Sequence, residues 1–373
     1  MRILFVGNEA SLSLELMAYL TDLGEDWQVE TVADGNAAME MVANTPIDVV
    51  IAAPVLPDLT TATLLGQIRT LRPETSRIAM VDPEQAQRGP AARLLGVAHR
   101  FLSMPLMPEA LLEAVTSLEE LRELLDNPRL RSTIGRIEKL PSPPHLYLSL
   151  VHALEDNEGA DANDIAKLVS ADPAIAAKVL QLCNSAFFSG GRSIADLRTA
   201  VTRLGVATLR DLVLASEVFS VQTLSPEERN AMQQRALLSS RLAAKILPST
   251  SAELGSTASL LADIGLLLPG VRDERAGPAD DQDERPGHSE AGAYLLGLWG
   301  LPMPIIEAVA FQRHPQSSSL RSFWVTGAVH VATSLISGDP VDEEYLRRVG
   351  VLAKLPAWRD QADRLLGLAE EEA

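Results

Sequence analysis

IAKLVSADPAIAAKVLQLCNSAFFSGGRSIADLRTAVTRLGVATLRDLVL, residues 165–214, decides the fold of this chain. Ile165, Leu168 and Val169 form a helical stripe that ends at Ser170. Asp172 then offers an N-cap oxygen, and Pro173 follows at the first helical position, where its missing N–H costs nothing. Ile175, Val179 and Leu182 repeat on one helix face, and Gly190-Gly191 marks a turn. Short amphipathic helices of this kind do not persist alone in water, so the pattern predicts an all-helical domain whose pieces bury one another.

From Ser170 onward the stretch resembles the core of an HDOD domain, an all-helical bacterial signalling domain related to HD-type metal phosphohydrolases. LPSPPHLYLSL, residues 140–150, fits the entry to such a domain, and the resemblance extends over about residues 131–316. It implies a regulator of bacterial signal transduction.

Upstream, residues 1–125 alternate short apolar runs with helical patterns. Ile3–Val6, Gln28–Val32, Val49–Ala52, Ile78–Val81 and Ala98–Leu102 read as strands. Strands alternating with helices predict a parallel, doubly wound sheet, whose ligand-binding positions lie at the carboxyl ends of the strands. ILFVGNEA, DVVIAAPVLPD, RIAMVD and FLSMP are similar to the strand ends of response-regulator receiver domains. The resemblance carries that family's chemistry onto positions that lack it. Gly7 and Asn8 stand where the magnesium-binding acids belong, with Glu9 the one acid nearby; Ala53 replaces the phospho-accepting Asp, Val81 the switching Thr or Ser, and Met104 the Lys. Aspartyl phosphorylation needs a carboxylate nucleophile and hard oxygen ligands for a divalent cation. The domain therefore reads as a pseudo-receiver kept for protein contact.

The expected organisation is α/β plus all-α: a (βα)5 receiver-like, flavodoxin-like domain over 1–125, a linker over 126–131, an HDOD domain over 132–340, and C-terminal helices over 341–373 that pack on it. A leucine-rich helix over 106–125 closes the first domain. Ser225-Pro226-Glu227-Glu228 spells a capping box and opens a helix to about Leu247.

In HD phosphohydrolases the segment SLLADIGLLLPG, residues 259–270, would carry an adjacent His-Asp pair; here it reads Ala262-Asp263. The earlier His falls near Leu238 and the closing Asp near Thr333, and neither is present. Asp263, His288 and His314 remain as candidate ligands, either of a residual metal site or of purely local contacts. Between them VRDERAGPADDQDERPG, residues 271–287, is charged and poor in large apolar groups, which predicts a mobile surface loop.

With 46% hydrophobic residues the chain has enough apolar material for two cores, yet no apolar run long enough to span a bilayer. MRILFVGNEA lacks the features of a signal peptide, and the single Cys183 forms no internal disulfide, so a cytoplasmic location is expected. A net charge of −18 disfavours nucleic acid and anionic membranes as partners. The expected role is a non-catalytic regulator with no cofactor. Its expected partners are other signalling proteins, a histidine kinase or a transcription regulator among them, and a second copy through the sheet edge and the connecting helix. A metal-dependent phosphohydrolase and a nucleotide sensor without turnover are the alternatives.

Overall fold

The structure is a computed structural model of the chain, and it describes residues 1–7, 27–82, 94, 96–137, 162–184, 194–205, 209, 225–277, 283–318 and 321–372. Asn8, Glu9, residues 140–150 and the helix expected to begin at 206 lie outside these, Leu209 apart.

Residues 1–125 form one five-stranded parallel sheet in the order β2-β1-β3-β4-β5, built from β1 (Arg2–Val6), β2 (Gln28–Val32), β3 (Val49–Ala52), β4 (Ser76–Val81) and β5 (Arg100–Ser103). The register runs Ile3 opposite Val49, Ile51 opposite Ile78 and Ala79 opposite Phe101. β3 and β4 are buried throughout, and β1 from Ile3 onward, as central strands covered on both faces must be. This is the flavodoxin-like order that receiver domains share. α1 (Gly35–Asn44), α2 (Thr61–Leu71) and α3 (Pro108–Leu124) are the described helices of this unit. Asp34 caps α1 through Ala37 N–H at 2.8 Å, and Thr60 caps α2 through Thr63 N–H at 3.1 Å.

The expected linker is mostly helix. Asn127 accepts hydrogen bonds from Arg129 and Leu130 N–H, and Pro128 follows at the first position, so the second half of residues 126–131 enters α4 (Pro128–Gly135). A break signalled by Asn-Pro is here a helix start.

The second unit comprises α5 (Ala162–Ser170), α6 (Pro173–Cys183), α7 (Leu197–Leu204), α8 (Pro226–Ile246), α9 (Ala252–Leu260), α10 (His288–Leu298), α11 (Met303–Ala310) and α12 (Val325–Ser337), followed by α13 (Glu343–Arg348) and α14 (Leu355–Glu372). Asp172 caps α6 through Ala174 and Ile175 N–H at 2.7 and 3.0 Å, and its other oxygen accepts from Gln233 of α8 at 2.8 Å. The capping box at Ser225 and Glu228 is formed in both directions. α14 packs against α8 and α12 through Leu365, Leu242 and Ile336.

One apolar cluster runs from Ile3 and Phe5 in the sheet through Leu118 and Leu121 of α3 to Leu295, Leu298 and Ile305 of the helical unit. Gly297 makes that approach possible, since a Cβ there would lie 2.4 Å from a methyl of Leu121. At the same seam Arg100 of β5 donates to the carbonyls of Gly297 and Leu298 at 2.6 and 3.1 Å, so its guanidinium sits on the C-terminal end of α10. Lys178 of α6 lies 4.2 Å from the Trp299 ring centre and donates to Gln181 at 2.9 Å, while Gln181 donates to the His99 carbonyl. Burial pushes the Lys178 ammonium down to about 7.

Candidate functional site

Two places carry residues singled out by sequence. The first is the carboxyl end of the sheet. Gly7, Ala53, Val81 and Met104 end neighbouring strands: Gly7 N–H donates to Val32 at 2.9 Å, Ala53 N–H to Val6 at 2.8 Å, and Met104 N–H to Val81 at 2.9 Å. Ala53 and Val81 are buried, and Thr61 Oγ1 donates to the Ala53 carbonyl at 2.6 Å. Gly7 has φ +143°, and a Cβ on it would stand 2.5 Å from the Ala53 methyl. An acid at position 7 is therefore excluded by backbone conformation and by the neighbouring strand at once. Asp58, on the loop after Ala53, accepts from Gly35 and Asn36 N–H at 3.0 and 2.8 Å, and these backbone bonds hold its pKa below the ordinary carboxylate value. It ties the β3–α2 loop to the start of α1.

The second place lies where α9 ends and α10 begins. Asp263 follows Ala262, which is buried with its carbonyl taking a hydrogen bond from Gln312 Nε2 at 2.6 Å. His288 is the first residue of α10 and fully buried. Its Nδ1 accepts from Glu274 N–H at 3.1 Å and lies 3.1 Å from the Glu274 carboxylate, while Nε2 is on the other side of the ring. That nitrogen points at Asp263 Oδ1 from 3.5 Å and makes no hydrogen bond. The other oxygen of Asp263 is 3.3 Å from Arg275 Nη1. Arg275 also grips Asp273 with a fork, Nε at 3.0 Å and Nη2 at 2.9 Å. Burial pushes the Asp263 carboxyl up, but His288, Arg275 and Arg235 outweigh it and leave it below the usual value. Asp273 is held at about 2: burial raises it, and the Arg275 fork overcomes that effect.

The segment expected to be a mobile loop supplies most of this. Arg272 and Gly287 form a bridge, with Arg272 N–H donating to Pro286 and His288 N–H to Arg272 at 2.9 and 3.0 Å. Asp273 caps a single 3-10 turn, Glu274–Ala276, and the Glu274 carboxylate accepts from Ser289 N–H at 2.8 Å in the first turn of α10. Composition argued for mobility because little apolar area is available to bury. Charge-assisted bonds to a buried helix start order these residues instead.

The three candidate ligands do not converge. Asp263 and His288 meet; His314 caps the turn Pro315–Ser317, and no hydrogen bond or ion pair joins it to either. Leu238 is buried against Ala332 and Ile336, and Thr333 Oγ1 donates to Val329 within its own helix. The donor set does not fit a divalent metal. One carboxylate and one imidazole are too few, and the guanidinium of Arg275 lies on the carboxylate where a cation would bind. Among the described residues no three His, Cys, Asp or Glu side chains group to hold an ion. The geometry adds Arg235, Asp273, Glu274 and Arg275 to the site; in sequence the Asp-x-Arg spacing marks 273 and 275 alone.

Residues 140–276 match the HDOD domain family. An uncharacterized protein of Treponema pallidum (strain Nichols) is 27% identical over 202 residues, 49% of this chain and 39% of that protein, so the chain spans well under half of its relative. Among solved structures, a virulence factor from Campylobacter jejuni is similar in fold, at 16% identity and a TM-score of 0.50 over 65% of this chain and 98% of that one. The MmoQ response regulator from Methylococcus capsulatus aligns at 23% identity and a TM-score of 0.41 over 58% of this chain and 97% of that one. In this chain, residues 140–276 form an HDOD domain and follow a receiver-like domain.

Proposed function

We propose that this signalling regulator is non-catalytic and acts by contact with other signalling proteins. The observation that carries the reading is Arg275 on Asp263. The last acid of the ancestral pair is neutralised by a side chain of the same chain, beside an alanine in the place of the histidine. The receiver-like half supports it, since Gly7 against Ala53 leaves no room for a magnesium acid at position 7, and Ala53 carries no carboxylate to accept a phosphoryl group. Val55 and Met107 stand 68% and 55% exposed on loops at that same end of the sheet, where a partner would find apolar anchors.

The test is metal content of the purified chain, measured beside hydrolysis of cyclic di-GMP and of a generic phosphodiester with added manganese. Neither bound metal nor turnover is expected. Stoichiometric metal with turnover that vanishes in Asp263→Ala would overturn the reading in favour of a phosphohydrolase.

A further inference from the structure

A cavity of about 970 Å³ opens beside Asp263, between α8, the segment after α9 and the end of α12. Four arginines and four acids line it, which looks balanced until the pairs are assigned. Asp273 is held by Arg275 at 2.9 Å, Asp283 by Arg285 at 2.8 Å, and Asp339 by Arg313 at 3.1 Å. Glu228 is spent on the capping box. Arg235 and Arg272 are left over. Neither forms an ion pair with a carboxylate among the described residues, and the Nε of each is buried without a hydrogen-bond partner. Among the described residues the Arg272 side chain donates to the Gly277 carbonyl, at 3.2 Å. Burial and the nearby Arg275 charge push Arg235 down from its ordinary pKa, against the opposing charges of Asp263, Asp273 and Asp339, none of which pairs with it directly.

We propose that this cavity binds a small phosphorylated molecule, its phosphoryl oxygens taken by the guanidinium groups of Arg235 and Arg272. Guanidinium forks match phosphoryl oxygens, and two of them suit a dianion better than a single carboxylate. The volume lies in the upper part of the range for small-molecule sites, about 300–1,000 Å³. The arginine-held carboxylates around the rim remain acceptors for hydroxyl donors, which suits a sugar phosphate or a nucleotide. Binding needs no metal and no cleavage, so it stands apart from the question of catalysis.

The experiment is titration calorimetry on the full chain in excess EDTA, with inorganic pyrophosphate, ribose 5-phosphate and adenosine diphosphate as probes and sulfate as competitor. Saturable one-to-one binding of at least one probe is expected, weaker at high salt. Arg235→Met and Arg272→Met should each weaken it about tenfold or more. Arg235→Lys keeps the charge without the fork and should fall between; an unchanged melting temperature in that variant separates lost contact from lost fold. No saturable binding by any probe would overturn the proposal, and so would equal affinity in Arg235→Met. Binding that emerges only after Asp280→Asn with Asp281→Asn would overturn it too, by assigning the two arginines to the chain's own carboxylates.

Discussion

Replacing Arg100 by methionine should loosen the seam between the two domains. The guanidinium is buried and makes four hydrogen bonds: to Gly297 and Leu298 at 2.6 and 3.1 Å across the seam, and to the Ala114 carbonyl at 2.9 Å and Ser117 Oγ within the receiver-like half. Methionine fills much of the volume and cannot donate. Four bonds to a charged donor are then lost, at about 1.5–3 kcal/mol each, although the Gly297 carbonyl keeps Gly300 N–H at 3.0 Å. The variant no longer desolvates a guanidinium, whose pKa burial brings down to about 10, and this offsets part of the loss. A net cost of about 2–4 kcal/mol follows. For a chain of 373 residues unfolding as one unit, that lowers the melting temperature by about 3–5 °C. Calorimetry measures the shift, and hydrogen exchange locates it, with faster exchange expected at the end of α10 and along α3. A change below about 0.5 kcal/mol with unaltered exchange would refute the idea that this side chain clamps the seam.

Lys178 gives the opposite sign. Its folded pKa of about 7 lies below the roughly 10.4 of an unfolded lysine, so between those values the unfolded chain binds the extra proton and stability rises with pH. Lys178→Met should therefore stabilise the chain at pH 7 by a few kcal/mol, with the gain shrinking toward pH 10; denaturant titrations at both pH values test it, and an equal effect at both would sink the assignment. Ala53→Asp should not restore phosphorylation by acetyl phosphate, read on a phosphate-retarding gel, because Gly7 and the space beside it supply no magnesium acid. The same substitution should lower the melting temperature by burying a carboxylate where the alanine is 2% exposed.

How much of this was legible in sequence differs between the two halves. The strands were readable because central parallel strands are continuous apolar runs, and β2 and β3 fall on the residues read as strands. Asp172-Pro173 and Ser225-Pro226 announced their helices through local capping chemistry that needs no tertiary knowledge. The candidate site was legible only as a set of losses. Ala262 and Ala53 announce missing chemistry by themselves, but Arg275 has no meaning until the chain folds residue 275 back onto residue 263. His314 was grouped with Asp263 and His288 for its residue type, whereas backbone direction at the end of α11 carries it elsewhere. The described parts of the charged stretch, 271–277 and 283–287, depart from the expected mobility for a related reason, and 278–282 lie outside the described residues. Low apolar content argues for mobility when water is the only partner, and here the partners are a buried imidazole and a helix start.

The two places singled out by sequence share a physical feature, a close contact supplied by the chain itself: Ala53 packs against Gly7, and Arg275 sits on Asp263. α10 connects the two halves: His288 at its first turn faces Asp263, while Gly297 and Leu298 at its last turn receive Arg100 from the receiver-like sheet. A single 11-residue helix thus has its N-terminus fixed by Glu274 and its C-terminus by another domain. A partner that moved β5 or α3 would pull on the helix whose far end is tied by Glu274 to the segment lining the arginine-lined cavity. Arg100→Met together with Arg235→Met is the double-mutant cycle that measures this coupling, and additive effects on phosphate affinity would mean that the two ends of α10 act independently.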